Sequence, residues 1–446
     1  MLRDVRTIFH LAWPILIGQL AIIAFGVIDT AMVGRFSAED LAALGLGASI
    51  YISVYVGLTG ILLALSPIAG NLYGAKRYAE IGEEVRQSCW LAAFLSVVGM
   101  ALLCFPAPLL RITDAPPELT ARAEAYLRIL ALGLPASLLF RVYNSLSTAI
   151  GQPRRVMVIQ VLALLVKIPA NYCLIFGKFD LPALGGPGCA VASTAISYLE
   201  AIFSVIFMLR GAPYRALRIT ERFSWPHWQN QWALLKLGLP MGFSYLIEVT
   251  SYTFMALFIA RFGTATLAGH QIAGNLGAVL YMTPLSIGIA TGTVVAQALG
   301  SKDADRAQRV SKHGIQFATA IGLVYATVVL LARHGIAHAY TSNAAVASAA
   351  AALIAIVAVY HIFDAIQIST AFVLRSYQLT VVPTLIYALA LWGVGLGGGY
   401  WLGFNVPGSL PAKLTGAAGF WIANTVSLGV AGIGLLLYCR VVVRRR

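Results

Sequence analysis

The chain carries twelve apolar runs, each long enough to cross the roughly 30 Å hydrocarbon core of a bilayer. They lie near 8–32, 43–70, 88–109, 122–148, 156–178, 188–210, 234–260, 270–298, 314–333, 346–373, 380–403 and 416–440. Lipid offers the backbone no hydrogen-bond partners, so only helices or closed barrels can span it. The runs are too long for barrel strands and lack alternation with a period of two. The sequence therefore predicts an all-α polytopic membrane protein. A charged fraction of 11% fits, since ordinary soluble domains carry about a quarter. The 42 glycines suit close helix packing in lipid.

A net charge of +14 is compatible with nucleic acid, but the basic residues sit in short stretches between apolar runs. That is how topology signals are distributed, and no nucleic-acid partner is expected. Most Lys and Arg, including Arg3, Arg6, Lys76, Arg77, Arg154, Arg155, Arg222, Lys302, Arg306 and residues 444–446, fall at the termini and in the loops on their side. Both termini are therefore expected in the cytoplasm. Five cysteines lie singly without CxxC spacing and read as packing residues, with no metal or disulfide role.

The two halves repeat. LAWP at 11–14 aligns with LGLP at 237–240, an offset of 226. The same offset pairs GRF (34–36) with ARF (260–262), and Gly74-x-Lys76 with Gly300-x-Lys302. Six helices per half in the same orientation make a parallel repeat. An N-lobe is expected over 1–210, a basic cytoplasmic linker over 211–233 and a C-lobe over 234–446. Transporters built this way bind cargo between their halves and rock to alternate access.

Three acids lie inside the apolar runs: Asp29, Glu248 and Asp364. The repeat does not preserve them. Asp29 maps onto Met255, Glu248 onto Ile22, and Asp364 falls opposite about Phe140 at a local offset of 224. Carboxylates in lipid are costly and mark ion paths or water-filled cavities; the alternative is a structural acid that caps or bridges helices. Glu248 and Asp364 belong to one half, and two acids sharing a site keep a proton between them unless a cation binds. Tyr360 and Asp364, four apart, share a helix face.

The sequence resembles a multidrug and toxic compound extrusion (MATE) transporter of the NorM-like branch. The likeness rests on WPILIGQL with the downstream DTAMVGRFS (29–37), AGNLYGAKR (69–77), SYLIEVTSYTFMA (244–256), AGHQIAGN (268–275), YHIFDAIQ (360–367) and VLRSYQLTVVP (373–383). The resemblance implies two six-helix lobes around a cleft, with cationic or amphipathic drugs expelled against Na⁺ or H⁺. It makes Asp29 the N-lobe acid, with Asn171 fitting the pattern. It makes Glu248, Tyr360 and Asp364 a C-lobe cation-coupling site able to hold Na⁺, and it places Gln271 and Ser49 on the drug path. Tyr360, Ser49 and Gln271 could equally serve packing or helix-to-helix hydrogen bonds. Lys167 departs from the family, which often has asparagine there; it either pairs with Asp29 or snorkels to a headgroup. YTSNAAV (340–346) lacks the acid that ITDAPPE (112–118) retains. His361 is either a proton relay to Asp364 or a packed histidine.

The predicted function is secondary active multidrug efflux, in a bacterial inner membrane, with no cofactor beyond the coupling ion. Small-molecule drugs and membrane lipid are the expected partners, and the chain is expected to be a monomer. A lipid-linked oligosaccharide flippase of the same superfamily is the alternative, but its cleft would be basic. An ATP-driven pump lacks its G-x-x-x-x-G-K-[ST] loop, and intramembrane enzymes lack DDxxD, HExxH or GxSxG.

Overall fold

The computed structural model describes residues 1–111, 116–178, 182–221 and 223–443. Among these described residues, twelve helical spans are long and apolar enough to cross a membrane. They are α1 (Leu2–Phe36), α2 (Ala38–Leu62, continued by a short helix Leu65–Gly74), α3 (Tyr78–Cys104), α4 (Pro117–Ala149), α5 (Pro153–Phe176) and α6 (Gly186–Arg210). The second half supplies α7 (Trp228–Ala260), α8 (Thr264–Gly300), α9 (Ala304–Tyr340), α10 (Ala344–Ser376), α11 (Val381–Gly403) and α12 (Gly416–Val443). No strand occurs among the described residues.

The helices outrun the apolar windows. The ninth window covers 314–333, yet α9 begins at Ala304, where Asp303 caps it by accepting from the Arg306 backbone N–H at 2.9 Å. A polar first turn with a capped end continues the backbone ladder beyond the hydrocarbon, which hydropathy alone does not register. Arg222 and residues 444–446, used for orientation, lie outside the described residues, as do 112–115 of the ITDAPPE loop.

Two units partition the chain: Met1–Trp13 with Phe243–Arg446, and Pro14–Gly242. The divisions fall inside α1 and α7, beside Pro14 and shortly after Pro240, rather than in the 211–233 segment. Asp4 on α1 accepts from His313 Nδ1 of α9 at 2.8 Å, with Arg309 Nε 3.5 Å away. The first turns of α7 belong to the other unit, where Asn230 donates to Glu84 on α3 at 2.9 Å. Gly238 approaches α2 so closely that a Cβ there would stand 2.2 Å from the Ile61 carbonyl oxygen. Small residues permit such a crossing.

The described residues around 218–219 and 224–225 of the 211–233 segment are held against α3. Arg86 donates to the carbonyls of Arg218 and Ile219 at 3.0 and 2.9 Å and to Ser224 Oγ at 2.9 Å. Gln87 donates to the Trp225 carbonyl, and Trp90 to that of Ser224, both at 2.9 Å.

The repeat is written into the backbone as well. Lys76 and Lys302 both adopt a left-handed conformation, with φ of 58° and 60°. In each case the next N–H bonds back five residues, Arg77 to Leu72 at 2.9 Å and Asp303 to Ala298 at 3.0 Å. That is the helix-ending motif normally filled by glycine. The bounds of α4 and α10 both stand 227 apart, so Asp364 is opposite Ser137 and not Phe140.

Candidate functional site

In the Pro14–Gly242 unit, Asp29 of α1 faces α5 and α6. Lys167 and Asn171 are four apart on α5 and therefore share its face. Lys167 Nζ donates to Asp29 Oδ2 at 2.8 Å, and Asn171 Nδ2 to Asp29 Oδ1 at 2.7 Å. The same ammonium donates to Ser193 Oγ of α6 at 2.9 Å and lies 4.9 Å from the Phe25 ring centre. Lys167 is only 3% exposed and Asp29 8%, so the lysine does not snorkel. This carboxylate has a resident cation, supplied by the protein itself.

The other unit differs. Glu248 of α7 is half-buried and hydrogen-bonded to the Tyr387 hydroxyl of α11. Asp364 of α10 is buried, and its Oδ2 has no hydrogen bond among the described residues. The nearest basic atom to it is His361 Nδ1, 3.7 Å away, beyond hydrogen-bond reach. His361 is buried and stacks on Tyr325 at 5.9 Å, which gives it a packing role. Tyr281 of α8 and Tyr360 of α10 are placed where the charges of both Glu248 and Asp364 act on them. The Tyr281 hydroxyl is buried without a hydrogen-bond partner among the described residues. Arg375 also acts on Glu248, but its guanidinium is spread over the Tyr245 and Phe372 rings, 5.3 and 4.6 Å from their centres. Glu248 and Asp364 thus lie close enough for their charges to act on each other and on the Tyr281, Tyr360 and Tyr387 hydroxyls, and among the described residues no cation is paired to Asp364.

Ser49 and Gln271 are both exposed, and the Ser49 hydroxyl is spent on the Gly45 carbonyl of its own helix at 2.9 Å. Neither joins the two acid clusters. Sequence reasoning missed Tyr281, Tyr387 and the buried His270, which accepts from Trp421 Nε1 at 3.2 Å. It also missed a fourth intramembrane acid, Glu200 of α6, buried at 9% exposure. Glu200 was visible in principle as an acid within the 188–210 run. Tyrosines are common in apolar runs, so nothing marked Tyr281 or Tyr387 in advance. The π-helical stretch Leu389–Gly397 inside α11 was likewise unannounced. It starts two residues after Tyr387, and such widened turns often occur at functional sites.

Twelve spans in two repeated halves, with unlike charge clusters in each, are the architecture of a membrane transporter. The sequence model of the MatE family matches residues 14–173 and again 240–401, two segments that begin 226 residues apart. The chain belongs to the MatE family. It is 36% identical to a probable multidrug resistance protein NorM of Aromatoleum aromaticum, over 98% of this chain and 94% of that one. It is 35% identical to the multidrug resistance protein PmpM of Pseudomonas aeruginosa, over 97% and 91%. Among solved structures, a MATE in the bent conformation superposes with a TM-score of 0.89 at 20% identity, covering 99% of this chain and 96% of that one. The eukaryotic MATE transporter AtDTX14 gives 0.88 at 19%, covering 98% and 95%. At such identities these structures speak to the fold. The chain is thus a multi-pass bacterial membrane protein with the MATE fold.

Proposed function

We propose that this protein is a secondary active multidrug exporter that exchanges organic cations or amphipathic drugs for a coupling cation held at Glu248 and Asp364. The observation that carries the reading is the bare Oδ2 of buried Asp364, which lies within electrostatic reach of a second carboxylate, Glu248, and of the hydroxyls of Tyr360 and Tyr281. A buried charge left unpaired is costly, so this site calls for a cation. Among the described residues no three His, Cys, Asp or Glu side chains are grouped to hold a metal ion. A transition metal is therefore disfavoured, whereas Na⁺ accepts hydroxyl and carbonyl oxygens alongside two carboxylates. Relatives that bear multidrug resistance names support the cargo class. Asp29 already holds Lys167, which leaves it to act through protonation, drug contact or that pairing. On this reading the protein works as a monomer in the cytoplasmic membrane with both termini inside.

Everted vesicles test the reading. An imposed Na⁺ gradient, with the proton gradient collapsed, should drive ethidium transport that survives in Lys167→Asn and disappears in Asp364→Asn. Sodium-independent transport that follows the pH gradient would make the two carboxylates a proton site, and transport of anionic dyes only would sink the cargo class.

A further inference from the structure

The Pro14–Gly242 unit holds a second acid that the Asp29 cluster does not use. Ser193, Ser197 and Glu200 recur at spacings of four and three along α6 and so share one face. The helix packs against α4, α5 and α2. Lys167 of α5 binds Ser193 at 2.9 Å. One turn further, Ser197 Oγ accepts from Ser137 of α4 at 3.0 Å, and Ser137 in turn contacts the Tyr51 hydroxyl of α2. Tyr51 stacks on Tyr55 with ring centres 5.6 Å apart and planes within 9°. Tyr55 is placed where both Glu200 and Arg141 of α4 act on it.

Among the described residues, nothing donates a hydrogen bond to the Glu200 carboxylate, and the charge that reaches it is Lys167. Arg141 does not satisfy it, and the buried Arg141 Nε has no acceptor either. The short helix Ala212–Arg215, also against α6, brings Tyr214, whose hydroxyl is engaged by Ser147 and Tyr143 at 2.8 and 3.2 Å. Glu200 and Ser193 are seven residues apart, about 10 Å of helix rise. Helical side chains lean towards the N-terminus, so the Glu200 carboxylate reaches back towards the Ser193 level. A lysine ammonium on its flexible four-carbon stem can cover the remainder, with Ser193 and Ser197 as stepping oxygens.

We propose that Lys167 is shared between two carboxylates, Asp29 and Glu200, and that Glu200 takes up a proton when the lysine settles on Asp29 and releases it when the lysine returns. The proton is exchanged with water, and Lys167 keeps its ammonium charge throughout. In the conformation described here the lysine is on Asp29. Glu200 is then the bare member of the pair and the proton-binding one. The inference deepens the reading of this protein as an ion-coupled transporter by giving the N-terminal half its own proton site.

Dicyclohexylcarbodiimide tests it without requiring transport. The reagent adds to a protonated carboxyl and rearranges to an N-acylurea, a stable adduct that mass spectrometry can assign to a residue. In wild-type membranes the Glu200 peptide should carry the adduct at mildly acidic pH and lose it several-fold at alkaline pH, while Glu200→Gln carries none. Asp29→Asn releases the lysine towards Glu200 and should lower the adduct several-fold at a given pH. Lys167→Met should raise it and flatten its pH dependence. An adduct of equal extent in all three proteins, or none at any pH, overturns the proposal. If Asp29→Asn fails to fold, Lys167→Met decides alone. Because the readout is chemical, its failure would leave sodium-driven efflux standing.

Discussion

Lys167→Met removes the cation from a buried carboxylate, and the structure fixes how much that should cost. Asp29 accepts from Lys167 at 2.8 Å and from Asn171 at 2.7 Å, and both charged residues are buried. Breaking a buried ion pair from one side typically costs about 3–5 kcal/mol, because the remaining charge is left uncompensated. Asn171 still donates to Asp29 in the variant, which puts the expectation at the lower end, about 3 kcal/mol. For a unit the size of Pro14–Gly242, each kcal/mol shifts Tm by about 2–4 °C, so Lys167→Met should melt roughly 6–12 °C lower. Asp29→Asn combined with Lys167→Met removes both charges and should recover to within about 1 kcal/mol of wild type. Heat-induced changes in tryptophan fluorescence, in one detergent at one protein concentration, give the comparison. Lys167→Met melting together with wild type, or a double variant whose loss equals the sum of the singles, would refute a mutually compensating pair.

Asp364→Asn should keep or raise Tm, since the acid it neutralises has a bare oxygen; sodium, which at 100 times its Kd would stabilise wild type by about 2.7 kcal/mol, should leave the variant unmoved. Equal stabilisation of both by Na⁺ in a salt-matched melt would count against the site. Lys302→Gly should raise stability by about 1 kcal/mol, since a non-glycine residue is strained at its left-handed φ of 60°; a lower Tm would show that the lysine side chain outweighs the strain. Gly238→Val should lower folded yield and Tm, at a cost of about 1–3 kcal/mol or more, because its Cβ would meet the Ile61 carbonyl. Gly45→Ala, where nothing lies within 4 Å of the new Cβ, serves as the silent control in the same gel-filtration and melting series.

Much of this fold was legible because lipid leaves the chain so few choices. Twelve long apolar runs and one recurring offset led to twelve spans in two halves. What hydropathy could not register was where the polar helix ends stop, since caps such as Asp303 act outside the apolar window. The docking of 218–219 and 224–225 onto α3 was equally hidden, because a basic, aromatic-rich stretch reads as a linker until Arg86 and Gln87 are seen to hold its carbonyls. Within the sites, acids stood out against apolar surroundings, which is why Asp29, Glu248 and Asp364 were found. The same criterion should have picked out Glu200. The pairing of Lys167 with Asp29 needed three dimensions to separate it from snorkelling. So did the alignment of Asp364 with Ser137, which depends on helix bounds and not on matching letters.

The repeat explains why the two halves differ in charge. Gly151 and Gln378 are both left-handed, and the N–H that follows each bonds back five residues, Gln152 to Ser147 at 2.7 Å and Leu379 to Leu374 at 3.0 Å. These matching helix ends set α5 against α11 at an offset of 227, which places Lys167 opposite Val394 and Asn171 opposite Gly398. Val394 lies within the π-helical stretch of α11, at the level where α5 contains Pro169. A proline in α5 and a π-helical stretch in α11 thus mark the same level of the two halves, but only the first puts a cation there. In that half Asp29 is neutralised by a residue that cannot leave the protein. In the second, the counterparts of Lys167 and Asp29 are the exposed Val394 and the buried Met255, so no such ion pair is built there, and Asp364 on α10 keeps a bare oxygen. On the proposed reading this asymmetry is the basis of coupling. A tethered ammonium, even one shared between Asp29 and Glu200, cannot itself cross a membrane, whereas a cation recruited to an otherwise uncompensated carboxylate, at Asp364 or as a proton at Glu200, can be taken up on one side and released on the other.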